Sequence, residues 1–161
     1  MKLHVHERLG GLHPTHAFRR WRDEIVERAA HIPHVHRLRE RERTELRRLL
    51  EWAIDLEVPL LARAFVPSDA LVLELDEQWD EPALACAWSL RSRGLPEQAA
   101  CANGSLRFDA TGLLVTGDVT VDLAALPRVP PALAKTAGPS LERTLARAIE
   151  QAWSQLARSI A

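Results

Sequence analysis

A chain of 161 residues can bury one substantial core, and 47% hydrophobic with 27% charged residues is the composition of an ordinary soluble globular protein. The 21 basic and 22 acidic residues leave a formal net charge of -1, so the chain as a whole has no field that would attract nucleic acid or anionic lipid. The longest apolar runs are too short for a transmembrane segment, although they allow peripheral contact with a membrane. We expect one domain over residues 1–161, and the pattern gives no prediction of its oligomeric state.

The start of the chain and the cysteine content indicate a compartment. The opening stretch MKLHVHERLGG lacks the apolar segment of a secretory signal, and the sequence contains only two cysteines, Cys86 and Cys101. We therefore expect a protein of the reducing cytoplasm. Cys86 lies in an apolar pattern that predicts a core position, whereas Cys101 is expected to be exposed in a loop.

The first 33 residues show a strand pattern followed by a helix pattern. Residues 2–9 alternate, with Leu3, Val5 and Leu9 on one face, which predicts a half-buried strand. Apolar residues then recur every three or four positions and predict an amphipathic helix that ends at Pro33. These residues are Phe18, Trp21, Ile25, Ala29 and Ile32.

Strict alternation returns after a charged stretch. Apolar side chains take every second position in the set Leu50, Trp52, Ile54, Leu56, Val58 and Leu60. This pattern predicts a strand over residues 50–58, in preference to the helix that could be drawn through Leu46, Leu49 and Leu50. Alternating runs near residues 71–76, 84–90, 106–108 and 113–121 predict further strands, with turns at ANGS and DATG.

The end of the chain carries the strongest helix pattern. After LPRVPP, an apolar stripe continues for about five turns. It consists of Leu141, Leu145, Ile149, Ala152, Trp153, Leu156 and Ile160. We expect one long C-terminal helix.

The order of these elements resembles the helix-grip fold of the polyketide-cyclase and START-related (SRPBCC-like) superfamily. The resemblance rests on HVHERLGG…AFRRWRDEIV…IPHVHRLRE at the start and GDVTVDLAALPRVPPALAKTAGPSLERTLARAIEQAWSQLARSIA at the end. It implies an α+β fold in which a curved antiparallel sheet wraps around a long C-terminal helix, with an N-terminal helix after the first strand. It also implies a bacterial family within or near that superfamily, and an apolar cavity between sheet and helix. It is a resemblance of layout and assigns no catalytic residue.

The inward faces of the predicted elements supply candidate ligand-binding residues. From the sheet these are Trp52, Ile54, Leu56, Leu84, Cys86, Trp88, Val119 and Val121, and from the last helix Leu145, Ile149 and Trp153. The pattern places every carboxylate of these strands on the opposite face. Because general acid-base catalysis needs a titratable group inside the pocket, we predict no catalytic residue and no cofactor.

Three functions are compatible with this pattern. The first is a non-enzymatic binding or carrier module for an apolar small molecule or lipid-like ligand. The second is a packed-core domain that interacts with other proteins and holds no ligand. The third, and least favoured, is an enzyme of the cyclase or hydratase type.

The segment RLRERERTELRR carries six arginines and three glutamates. As a strand it would place Arg37, Arg39, Arg41 and Arg43 on one side. No aromatic residue interleaves with these arginines to stack on a base, and mixed charges are typical of a solvated edge strand. The segment therefore favours an exposed edge over a site for nucleic acid or lipid headgroups.

All seven histidines precede residue 37. In the helix-grip layout we expect the first two strands to be neighbours, which would bring together His4, His6, His34 and His36. Four imidazoles on adjacent strands could bind zinc, nickel or copper. Lys2 and Arg8 share a face with His4 and His6 and disfavour a cation, so we predict no structural metal and at most weak adventitious binding.

Overall fold

The computed structural model describes residues 1–33, 35, 37–54, 58 and 60–161. The strands are β1 Lys2–Glu7, β2 Leu38–Arg43, β3 Arg47–Ala53, β4 Val72–Asp80, β5 Ala85–Ser92, β6 Ala100–Asp109 and β7 Gly112–Val121. The helices are α1 Pro14–Ala29, α2 Leu60–Arg63 and α3 Pro131–Ile160, and two short 3₁₀ turns span Ser68–Leu71 and Leu123–Ala125.

The strands of the described part form one antiparallel sheet in the order β1-β7-β6-β5-β4-β3-β2. The sheet is curved, and α1 and α3 contact each other and pack on its inner face. This arrangement confirms the predicted α+β helix-grip fold, with a helix after the first strand and a long helix at the end. No helix of the described part combines the length and the apolar composition of a membrane span.

Among the described residues, the predicted strand over residues 50–58 is observed from Leu50 to Ala53. Strand β3 begins earlier, at Arg47, and its last pair with β4 joins Ala53 to Val72. The backbone N–H of Ile54 donates instead to the carbonyl of Leu71 at 2.9 Å, and Val58 lies outside any strand. Strand β3 and its pairing with β4 therefore end at Ala53, and residues 55–57 lie outside the described part.

The expected adjacency of the first two strands is wrong. Strand β1 pairs with β7 at one edge of the sheet, and β2 pairs with β3 at the opposite edge. The expectation came from the resemblance of layout, and the alternation in these strands could not correct it, because alternation identifies the buried face of a strand but not its neighbours. The structure therefore separates His4 and His6 from β2, and His34 and His36 lie outside the described residues.

Inward-facing side chains form rows across the sheet because the strands are in register. The leucine row consists of Leu50, Leu75, Leu90, Ala102 and Val119. The tryptophan row consists of Arg48, Glu77, Trp88, Gly104, Gly117 and Leu3. Successive inward residues on a strand are about 7 Å apart, so each row is one layer of the core.

Candidate ligand cavity

An apolar cavity of about 50 Å³ lies at one end of the core, between the sheet and α3. It is beyond the leucine row, on the side away from the tryptophan row. Its walls come from β4 to β7, the connection between β3 and β4, and the middle of α3. The described lining residues are Ile54, Val58, Val66, Ala70, Leu71, Leu73, Ser92, Leu95, Ala99, Ala100, Val121, Leu123, Leu141 and Leu145.

The cavity separates two hydrophobic clusters. The large cluster fills the inside of the sheet against α1 and α3. A smaller cluster is built around Leu123, Leu126 and Leu141, between the 3₁₀ turn at Leu123–Ala125 and the first half of α3. The cavity is the space between these two clusters, and residues of both clusters line it.

Ser92 is the one polar residue among the described lining residues. Its hydroxyl is buried and donates to the carbonyl of Ala70 at 2.9 Å. The proton is therefore committed to the protein, while an oxygen lone pair remains available. The cavity offers apolar contact area and very little hydrogen-bonding capacity.

The structure distributes the eleven predicted ligand-binding residues over two regions. Three line the cavity: Ile54, Val121 and Leu145. Seven lie in or against the large cluster: Trp52, Leu84, Cys86, Trp88, Val119, Ile149 and Trp153. Leu56 lies outside the described residues. The structure brings these seven together as packed core rather than as cavity wall.

Trp88 fills the centre of the tryptophan row and closes the core there. A Cβ added to Gly117 would lie 2.7 Å from Cζ2 of Trp88 and 2.5 Å from the carbonyl oxygen of Asn103. The indole thus occupies the space that a side chain on Gly117 would need. The ring of Trp88 also contacts Trp153, with the ring centroids 5.7 Å apart. Aromatic side chains therefore fill the core at the tryptophan row.

The same row contains a buried ion pair that the sequence interpretation missed. Arg48 and Glu77 are each 1% exposed, and Nε of Arg48 donates to Oε2 of Glu77 at 2.8 Å. The prediction that the carboxylates of these strands face outward is therefore wrong for Glu77. The inward position of Glu77 could have been predicted from the sequence, because Glu77 alternates in phase with the buried residues Leu73 and Leu75 along β4.

The ion pair is closed off by α1. The indole N–H of Trp21 donates to Oε1 of Glu77 at 3.1 Å, and Arg48 donates to the carbonyl of Arg22 at 2.7 Å. These bonds occupy the polar atoms that point towards the helix. The pair therefore anchors α1 to the sheet and is separated from the cavity by the leucine row.

The remaining charged segments face outward. On the outer face, Glu51 lies between Arg93 at 2.9 Å and Arg41 at 3.7 Å, and Arg47 pairs with Asp76. Within strand β2, every residue after Leu38 is exposed. This mixed-charge surface agrees with the interpretation of residues 37–43 of the arginine-rich segment as a solvated edge, whereas Arg48 at the end of that segment is buried.

The cysteines and histidines contribute no site in the described part of the chain. Burial raises the pKa of the Cys86 thiol, and Cys101 is half-buried on β6 rather than exposed in a loop. His4 and His6 are exposed on β1, where the Nε2 of His6 lies 3.2 Å from the hydroxyl of Thr111. No group of three or more potential ligands suited to a metal occurs among the described residues.

The structure is similar to solved helix-grip proteins. TTHA0849 from Thermus thermophilus matches with a TM-score of 0.67 and 13% identity over 99% of this chain and 97% of that chain. The Zhui aromatase/cyclase from Streptomyces sp. R1128 matches with a TM-score of 0.61 and 13% identity over 99% and 94%. The di-domain ARO/CYC StfQ of the steffimycin biosynthetic pathway matches with a TM-score of 0.65 and 15% identity over 99% of this chain and 48% of that longer chain.

These likenesses define the class of fold: the chain has the helix-grip fold found in polyketide cyclases. The sequence itself matches no protein-family model and no curated protein. Since one fold supports many functions, the activity must be argued from the cavity.

Proposed function

We propose that this protein is a non-enzymatic binding or carrier module for an apolar small molecule, held in the cavity between the sheet and α3. One observation carries the proposal: thirteen of the fourteen described lining residues are apolar, and the remaining one, Ser92, already donates its proton to the backbone. A site of this chemistry selects ligands by apolar surface and shape.

The distribution of charge favours binding over catalysis. A general acid or base must lie within hydrogen-bond reach of the reacting atom. The described lining residues include no ionisable side chain. The buried charges of Arg48 and Glu77 are bonded to each other and separated from the cavity by the leucine row.

The size of the cavity requires a wall to move when a ligand binds. An engineered cavity of about 150 Å³ holds benzene, and typical ligand pockets are several times larger, so about 50 Å³ is too small for either. One wall comes from the connection between β3 and β4, through Val58 and Val66. In the same connection, helix α2 exposes 78% of Leu60, so this side chain does not pack against the core.

The opposite wall also has a place to bend. Pro139 lies inside α3 and cannot donate to the carbonyl of Lys135, and it follows Gly138. The next inward residue, Leu141, lines the cavity. We propose that α2 and the first turns of α3 move apart as the ligand enters.

A packed-core domain that binds other proteins is the second candidate. Two observations favour this candidate. The cavity is small, and the tryptophan row is already filled by side chains. A cyclase or hydratase-type enzyme is the third, supported by the aromatase/cyclase descriptions of two structural neighbours. We also propose a cytoplasmic location, which is supported by the two free cysteines. Peripheral contact with a membrane is part of the carrier proposal.

Native mass spectrometry of protein purified from its own host tests the proposal. We expect a retained apolar small molecule, and we expect long apolar molecules to raise the melting temperature where sugars and nucleotides do not. A ligand at 100 times its Kd adds roughly 2.7 kcal/mol to the free energy of unfolding. If neither a retained molecule nor a shift with a lipid, quinone and polyketide panel is found, the packed-core candidate replaces the carrier.

A further inference from the structure

An open groove of about 530 Å³ lies between the first turns of α3 and the end of β7. Its apolar lining includes Val129 and Ala134, and the exposed residue Lys135 also lines it. The volume is within the range of small-molecule sites, at about 300–1,000 Å³. The groove can therefore hold a molecule much larger than the closed cavity can.

The groove and the cavity share a wall. Val121 and Leu123 line both spaces. Val121 and Leu123 therefore lie at the boundary between the groove and the cavity. Movement of the first turns of α3 about Gly138 and Pro139 would join the two spaces.

Among the described residues that line the groove, the charged side chains are Asp122, Lys135 and Glu142, and Lys135 is the one cation. Asp122 accepts a hydrogen bond from the N–H of Ala124 at 3.0 Å, and Glu142 accepts one from the N–H of Val121 at 3.2 Å. Glu142 also lies 2.9 Å from the N-terminal amine. The side chain of Lys135, by contrast, is exposed and makes no ion pair or hydrogen bond within the described part of the chain.

We propose that the ligand is a single-chain anionic amphiphile, a long-chain carboxylate, whose headgroup binds Lys135 and whose chain lies along the groove into the cavity. This inference rests on the proposed function and specifies its ligand class. A free ammonium beside an apolar groove provides charge complementarity for a carboxylate. The apolar surface of the groove and cavity matches the hydrocarbon chain.

The two lysines of the chain provide a matched comparison. Lys2 is also exposed, but it pairs with Asp118 at 2.9 Å, and it is not among the residues that line the groove. Lys135→Gln and Lys2→Gln each remove one positive charge, and only the first removes it from the groove. An exposed ion pair is worth up to about 1 kcal/mol, which corresponds to a preference of roughly two- to five-fold.

Isothermal titration with decanoate and decanol tests the inference on wild type, Lys135→Gln and Lys2→Gln. We expect wild type and Lys2→Gln to bind decanoate roughly two- to five-fold more tightly than decanol, with the preference decreasing at high salt. Lys135→Gln should bind both equally, with its affinity for decanol unchanged.

The outcomes separate this inference from the proposed function. Equal binding of both molecules by wild type, or a preference for decanoate that survives in Lys135→Gln, overturns the inference and leaves the apolar carrier in place. Binding of neither molecule also overturns the inference, whereas the apolar carrier is overturned only if native mass spectrometry finds no retained molecule and the lipid, quinone and polyketide panel gives no shift.

Discussion

Arg48 and Glu77 face each other directly across β3 and β4, each 1% exposed, and their side chains form a two-contact ion pair. Trp21 donates a further hydrogen bond to Glu77, so the pair joins two strands to α1. A buried ion pair is stable only while its polar atoms remain bonded, since the charges are removed from water.

Loss of one partner of this pair should be costly. We expect Arg48→Met to lower the free energy of unfolding by about 3–5 kcal/mol, because Glu77 would be left as an uncompensated buried charge. The matched control is Arg47→Met, which breaks the half-exposed pair with Asp76 and should cost less than about 1 kcal/mol. Urea unfolding measures both.

The double variant Arg48→Met with Glu77→Leu checks the cause. Because it removes both charges, it should regain most of the stability lost in Arg48→Met. Equal instability of the single and double variants would show that packing or the bond to Trp21, rather than the unpaired charge, dominates.

Two glycine substitutions should have effects of opposite sign. Gly117→Ala brings a methyl group against Trp88 and the backbone of Asn103, and we expect it to destabilise by about 1–3 kcal/mol. Gly138→Ala, inside α3, meets nothing closer than the carbonyl of Val121 at 3.9 Å and should stabilise by about 0.5–1 kcal/mol. Thermal unfolding distinguishes them, and a neutral Gly117→Ala would contradict the close contact with Trp88.

Acid should weaken the attachment of α1 through Asp23. Hydrogen bonds from Arg22 and Arg43 hold the pKa of Asp23 below its usual value. A carboxyl with a lowered pKa in the folded state stabilises the protein above its unfolded pKa, and that contribution is lost as the pH falls through the folded pKa. We therefore expect the free energy of unfolding to fall below about pH 4, more steeply in wild type than in Asp23→Asn. Identical acid dependence in urea titrations of the two proteins would exclude this role.

The thiols should react in two separate steps. Burial raises the pKa of Cys86, so its thiolate is scarce at neutral pH, whereas Cys101 is partly accessible. An aromatic disulfide reagent should modify one thiol of the folded protein and the second only after unfolding. Cys101→Ser should remove the first reaction, and rapid modification of both thiols in folded protein would contradict the burial of Cys86.

The sequence could predict which faces of the elements are buried. Alternation in β1 and β4 and the stripe along α3 follow directly from packing against one core, so the helix-grip layout was readable. The same phase also placed Glu77 and Arg48 on the inner face. Their pairing depends on strands that meet across 29 sequence positions, and no local pattern contains that register.

The position of the cavity was less predictable. Alternation assigns Trp88 and Val121 to the same inner face, but it does not say which row a large side chain fills. Trp88 closes its row because Gly117 leaves room for the indole, whereas Val121 packs against both hydrophobic clusters and lines the cavity between them. The end of β3 was likewise set by the first residue of β4, which local sequence does not specify.

The most direct test of whether the cavity is the ligand site is ligand binding to two variants of β6 in which an alanine is replaced by valine. Ala100 lines the cavity, whereas Ala102, the next inward residue on the strand, lies in the packed leucine row. Ala100→Val should fill much of the cavity, leave the free protein at least as stable, and weaken decanol binding. Ala102→Val should cost about 1–3 kcal/mol of stability through overpacking, with the affinity of the folded protein for decanol unchanged. Titration of both variants with decanol should therefore show weaker binding only for Ala100→Val; binding by Ala100→Val as tight as by wild type would contradict the cavity as the site.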